Sequence, residues 1–88
     1  MANIRNLKKD INYVLGDIID AVVIWQMTNP EENTQKGEEI INEAVETFDD
    51  LILKVNQKGV ANKKMHFKQI NQDLETRAIA MIEKINKL

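Results

Sequence analysis

Residue types that could carry catalysis are scarce in this chain of 88 residues. His66 is its only histidine, and the sequence contains neither cysteine nor serine. His66 therefore has no thiol or seryl hydroxyl to activate as a nucleophile. The glycines Gly16, Gly37 and Gly59 stand too far apart to form a phosphate-binding loop. We expect a protein that is not an enzyme, with no catalytic residue and no cofactor.

Carboxylates form a stripe along one predicted helix, in a pattern that also occurs in metal-binding bundles. A di-iron bundle adds histidine ligands through Glu-x-x-His pairs on facing helices. Lys63 stands three residues before His66, so that pair is absent. We interpret the stripe as a solvated helix face and predict no metal site. Its members are Glu39, Glu43, Glu46 and Asp50.

Basic residues are concentrated in two short segments. Eight of the twelve basic residues, but only one of the fourteen acidic ones, lie in residues 1–10 and 53–70. Such a concentrated charge attracts charged partners even though the net charge is only −2. The candidate anion-binding or partner-binding residues are Arg5, Lys8, Lys9, Lys54, Lys58, Lys63, Lys64 and Lys68.

These basic residues have several interpretations. Lys54 and Lys58 are expected near a helix end, where cations are ordinary, but Lys63 and Lys64 are expected at a helix start, where the dipole favours anions. The excess fits a nucleic-acid backbone, an acidic partner protein or the acidic flank of another copy. It also fits a surface that the charges merely keep soluble. The negative net charge and the few aromatic residues argue against nucleic acid.

The spacing of apolar residues predicts three helices. Asn29-Pro30 should end the first helix, with Asn29 capping the second and Glu32 in its capping box. Gly59 should end the second helix in a left-handed conformation, with Val60 packing back onto Val55. Asn3 and Asn62 are the predicted N-caps of the first and third helices. The predicted bounds are about 4–28, from 30 or 34 to 58, and 62–88.

Each predicted helix has one apolar stripe for a shared core. The stripes follow the three-and-four residue spacing of a helix face. Leu15 and Val22 should widen the first stripe, and Ile40, Val45 and Ile52 should flank the second. The stripes are Ile4, Leu7, Ile11, Val14, Ile18, Ala21 and Trp25; then Ile41, Ala44, Phe48, Leu51 and Val55; then Phe67, Ile70, Leu74, Ala78, Met81, Ile85 and Leu88.

These elements predict an all-α, up-down-up three-helix bundle that forms a single domain over residues 1–88. Short connections make sequential helices antiparallel and gather the basic segments at one end. Residues 1–10 lack an apolar signal core, and no apolar run is long enough to cross a bilayer. We therefore expect a cytoplasmic protein without membrane association.

The first helix has more apolar residues than one core stripe uses. Gly16, Ile19, Val23 and Met27 form a second line, roughly opposite Ile18. Helices that are apolar on most sides are usually buried on more than one side. This pattern favours a self-associating interaction or structural module, with a homodimer as the simplest form. The alternative is a protein that binds polyanions through its basic end.

Overall fold

Three helices account for most of the chain. The computed structural model describes residues 4–30 and 35–88. Helix α1 spans Ile4–Thr28, α2 spans Gln35–Val55 and α3 spans Lys63–Asn86. Every pair of these helices is in contact. The predicted all-α three-helix bundle is therefore confirmed, and so are the predicted bounds of α1.

The helices run up, down and up along a molecule with extents of 51, 17 and 16 Å. At one end Ile4 of α1, Val55 of α2 and Phe67 of α3 line a common pocket. At the other end Ile40 of α2 lines a groove together with Leu88, which follows α3. None of the described helices is long and apolar enough to cross a membrane.

The core takes one stripe from each helix. On α3 the predicted stripe is confirmed, because its middle four members are buried and its outer three pack against them. On α1 the stripe lies further to one side than predicted: Leu15 and Val22 are buried, whereas Ala21 is exposed and Trp25 half-buried. A strict alternation of three and four averages 3.5 residues per turn, so in a straight helix its later members rotate away from the core.

The stripe of α2 is also displaced from its predicted centre. Ile40 and Thr47 are buried, while Ile41 and Phe48 are half-buried at the edge of the core. Thr47 is accommodated because its hydroxyl donates to the Glu43 carbonyl at 2.7 Å. The rotation leaves the apolar flank of α2 at the surface beside α1.

Two predicted features of the first connection need comment. Asn29 closes the end of α1, because its backbone N–H and its side-chain Nδ2 both donate to the Trp25 carbonyl at 3.0 Å. Its predicted capping contact with the start of α2 lies outside the described residues. Pro30 lies in a turn, and α2 begins at Gln35. The predicted roles of Asn3 and Glu32, and the alternative helix start at residue 34, lie outside the described residues.

The second connection is partly as predicted. Gly59 has φ of +76°, as expected, but α2 ends at Val55 rather than at Lys58, so Gly59 does not follow its last turn directly. The predicted Schellman cap is therefore wrong. Asn62 does cap α3, because its side-chain oxygen accepts a hydrogen bond from the Met65 N–H at 3.1 Å.

Candidate interaction surfaces

An apolar groove lies at the surface between α1 and α2. Gly16 and Ile19 of α1 line it together with Val45 and Phe48 of α2, and we call these four residues the α1/α2 seam. Its remaining lining residues are Asn12, Leu15 and Ala44, so none of the seven carries a charge. An apolar groove of this kind suits an apolar helix or side chain from a partner.

The second apolar line predicted on α1 borders this groove rather than lying opposite the core. Ile19 is half-buried and packs against the core, so it belongs both to the core and to the groove lining. Val23 and Met27 continue the line by one and two turns and are 39% and 75% exposed. The structure thus places Gly16, Ile19, Val23 and Met27 on one continuous flank of α1 next to α2.

Two helical glycines have different surroundings. A Cβ at Gly37 would come within 2.9 Å of the Gln26 Nε2 atom and 3.1 Å of the Val22 Cγ1 atom, so this glycine lets α1 and α2 approach closely. A Cβ at Gly16 would meet nothing within 4 Å. Glycine inside a helix costs about 1 kcal/mol relative to alanine. Close packing of α1 on α2 explains why a glycine is needed at Gly37 despite that cost. Packing within the chain gives no such reason for Gly16.

The basic end of the bundle is less concentrated than its sequence suggests. Lys58 and Lys63 do converge, because both line the end pocket whose floor includes Ile4 and Phe67. Lys54 has a different role: its Nζ lies 3.3 Å from Asp50 and 3.6 Å from Asp73, two acids just outside the basic segments.

The remaining candidate basic residues are spread over the surface of the same end. Lys9 lies over the ring of Tyr13, 5.6 Å from its centroid. Lys8 is half-buried, while Arg5, Lys64 and Lys68 are exposed. The structure therefore brings two of the eight predicted residues into one pocket and commits a third to ion pairs.

A cluster of charges connects α2 to α3 and was not predicted as a unit. Arg77 donates to Asp50 at 2.9 Å and to Asp73 at 3.2 Å, and Lys54 contacts both acids as well. We call Asp50, Lys54, Asp73 and Arg77 the α2/α3 seam. Arg77 therefore joins an acid on α2 to an acid on its own helix. The pairs Asp50/Lys54 and Asp73/Arg77, each four residues apart, were the sequence signal.

This cluster changes the ionisation of Asp50. A hydrogen bond from the Lys54 ammonium lowers the pKa of the Asp50 carboxyl below its ordinary value, and the Arg77 guanidinium lowers it further against a partial rise from burial. The carboxylate is therefore charged at neutral pH and serves as an acceptor. That role is structural, because a carboxyl with a lowered pKa is a poor general base near neutral pH.

His66 completes the same side of the bundle. It is half-buried, and its Nε2 atom lies 2.6 Å from the Lys54 carbonyl oxygen. Since a carbonyl only accepts, Nε2 is the donor, and it shares the Lys54 carbonyl in the last turn of α2 with the Gln57 N–H, which donates to the same oxygen at 3.2 Å. His66 thus lies in the first turn of α3 with part of its surface exposed.

The predicted carboxylate stripe of α2 is partly occupied by ion pairs. Lys84 of α3 donates to Glu43 at 2.8 Å, and Asp50 belongs to the α2/α3 seam. Glu39 and Glu46 are exposed. Within residues 4–30 and 35–88, no three acidic or histidine side chains group as metal ligands would. Comparisons with protein families, with curated proteins and with solved structures find no match for the chain.

Proposed function

We propose that this protein is a small cytoplasmic, non-enzymatic helical module that associates with itself through the α1/α2 seam. The observation that carries the proposal is the apolar groove between α1 and α2, whose lining contains no charged residue. The grooves at the α2/α3 seam and at both ends of the bundle are lined by charged side chains. The proposal thus rests on a contrast between surfaces of the same molecule.

Exposed apolar side chains extend the groove on both helices. Val23 on α1 and Val45 on α2 are 39% and 46% exposed, and Met27 is more exposed still. Burying one such side chain fully is worth about 1.5–3 kcal/mol. A few of them therefore supply a substantial part of the free energy that a stable dimer requires. Gly16 lets the backbone of a partner helix come close to α1.

The test replaces apolar residues of this surface with charges. Val23→Glu combined with Met27→Glu should give a folded monomer, because a dimer would bury both carboxylates. Light scattering should give the unmodified protein twice the chain mass of 10.2 kDa and the variant a single chain mass. Leu53→Glu combined with Ile79→Glu is the matched control, since those residues are 72% and 52% exposed on other faces.

The control should retain the dimer mass. If the unmodified protein and the Val23/Met27 variant have the same mass, the proposal fails. Circular dichroism at helical wavelengths shows whether each variant is folded.

A second candidate function is binding of a polyanion or an acidic protein at the basic end. The observation in its favour is the convergence of Lys58 and Lys63 on one pocket with an apolar floor. Binding through phosphates or sulfates weakens steeply with salt, whereas apolar association survives it.

Retention on heparin tests this second candidate. Lys63→Glu combined with Lys64→Glu should elute at lower salt, and acids in the first turn of α3 suit its helix dipole, so the fold should remain. Lys36→Glu combined with Lys87→Glu, two exposed lysines at the opposite end, makes the same charge change as a control. Equal elution of the two double variants would remove the second candidate.

A further inference from the structure

The flank of α1 that borders the groove is polar at one end and apolar at the other. Arg5 and Lys9 precede Asn12 on the same helical line that continues through Gly16 and Ile19. Both basic residues are exposed in the described structure. The start of this flank is therefore positive, and the positive end of the α1 helix dipole adds to it.

The other end of the same surface carries acids. Asp20 is exposed on α1, close to the line formed by Ile19 and Val23. Gly37 of α2 lies against Val22 and Gln26, which places the exposed Glu38 beside the C-terminal half of α1. The surface around the groove is thus basic at the start of α1 and carries acids from Asp20 onward, while the groove lining itself is uncharged.

We infer that the partner at this groove is a second copy of the chain whose α1 runs antiparallel to the first. This inference rests on the proposed function and adds the identity of the partner and its orientation. The basic start of α1 in each copy then lies over the C-terminal half of the other copy's α1, beside Glu38. A parallel pair would instead place Arg5 and Lys9 against their own counterparts and would align the two helix dipoles unfavourably.

The spacing of residues on α1 fits the antiparallel arrangement. An alignment that sets Gly16 of one copy opposite Ile19 of the other also sets Asn12 opposite Val23. In the same alignment Lys9 lies opposite Gln26, next to Glu38. In this alignment Val23 meets the uncharged Asn12, and the Ile19 side chain fills the open space beside Gly16, while Met27 lies opposite Lys8. A two-fold axis requires this reciprocity.

Cysteine cross-linking tests the orientation, because the chain contains no cysteine of its own. Asn12→Cys and Val23→Cys are prepared separately, one of them labelled with ¹⁵N, then mixed under reducing conditions and oxidised. Disulfides form only where the two Cα atoms approach within about 7 Å. Mass spectrometry then distinguishes the mixed disulfide from the two self-linked products. Leu53→Cys, exposed on another face, measures linking by random collision.

An antiparallel dimer predicts that the mixed disulfide forms at least about tenfold faster than the Leu53→Cys product, because the effective concentration within a complex is on the order of millimolar. Self-linked Asn12→Cys and Val23→Cys should stay near the Leu53→Cys rate. If the self-linked products dominate instead, the copies are parallel, and this inference fails while self-association through the groove stands. If no product exceeds the Leu53→Cys rate, both fail.

Discussion

Helix α2 meets its two neighbours with different chemistry at the protein surface. Toward α3, Asp50 and Lys54 engage Asp73 and Arg77, so each charge of that seam has a partner within the chain. Toward α1, the groove beside Gly16 is lined without a charged residue. In the α2/α3 seam the charged groups pair with each other, whereas the α1/α2 seam leaves apolar surface in contact with water.

The energies of the two seams explain why they should behave differently toward a partner. A surface ion pair contributes about 0–1 kcal/mol, and a partner that covered it would have to remove water from every charge. An exposed valine gains free energy when it is covered. Association is therefore expected at the α1/α2 seam, while the α2/α3 seam orients two helices within one chain.

The largest expected effect lies in the core beneath both seams. Leu51 is fully buried, and Leu53 on the same helix is 72% exposed. Leu51→Ala should lower the free energy of unfolding by about 2–5 kcal/mol, because it removes buried methyl groups and leaves a cavity. Leu53→Ala should change it by less than about 0.5 kcal/mol. Urea denaturation measures both, and similar losses would contradict the assignment of the core.

A pair of glycine substitutions separates close packing within the chain from open surface. Gly16→Ala should raise the stability of the dilute protein by about 0.5–1 kcal/mol, since alanine favours helix and its Cβ meets nothing. Gly37→Ala should not show this increase in stability, because its Cβ would lie too close to the Val22 side chain.

The same two variants also report on association. Gly16→Ala should weaken the dimer, because the added methyl group occupies space reserved for the partner. Urea denaturation of dilute protein measures the effect on stability, and light scattering of concentrated protein measures the effect on the dimer. Equal stability gains for both variants would show that α1 and α2 do not approach closely at Gly37.

The smallest expected effect concerns the charges of the α2/α3 seam. The folded pKa of Asp50 is lowered, so its contribution to stability is present above the ordinary aspartate pKa of about 3.9 and is lost as pH falls through the folded pKa. Asp50→Asn should therefore be less stable than the unmodified protein at pH 7, and this difference should shrink toward pH 2 and in high salt. Asp49→Asn, at the exposed neighbouring position outside the α2/α3 seam, is the matched control. A constant Asp50 difference across pH would contradict the ion pairs.

Features governed by local rules could be predicted from the sequence. The α3 stripe, the Asn62 cap and the left-handed Gly59 each depend on a few neighbouring residues, and all three are confirmed. The end of α2 could not be predicted in this way. There the Lys54 carbonyl accepts from the Gln57 N–H and from His66 of α3, and local spacing does not encode the contact from another helix.

The candidate surfaces show the same division. A glycine such as Gly37 weakens a helix by its intrinsic propensity, and only the packing of α1 on α2 shows that it allows a close approach to Val22. The second apolar line on α1 was visible as a periodic pattern. Its position beside Val45 depends on the orientation of each helix about its own axis. The apolar pattern of the sequence predicted that orientation slightly wrongly.

The most direct test of the account measures the exposure of individual methyl groups as the protein is concentrated. A soluble paramagnetic agent broadens the NMR signals of exposed methyl groups, so it can follow Val45 in the α1/α2 seam, Val23 beside the seam, and Leu53 and Ile79 elsewhere. The account predicts that Val23 and Val45 become protected at high concentration while Leu53 and Ile79 remain exposed. Unchanged exposure of Val23 and Val45, or protection of Leu53 and Ile79 in their place, would contradict it.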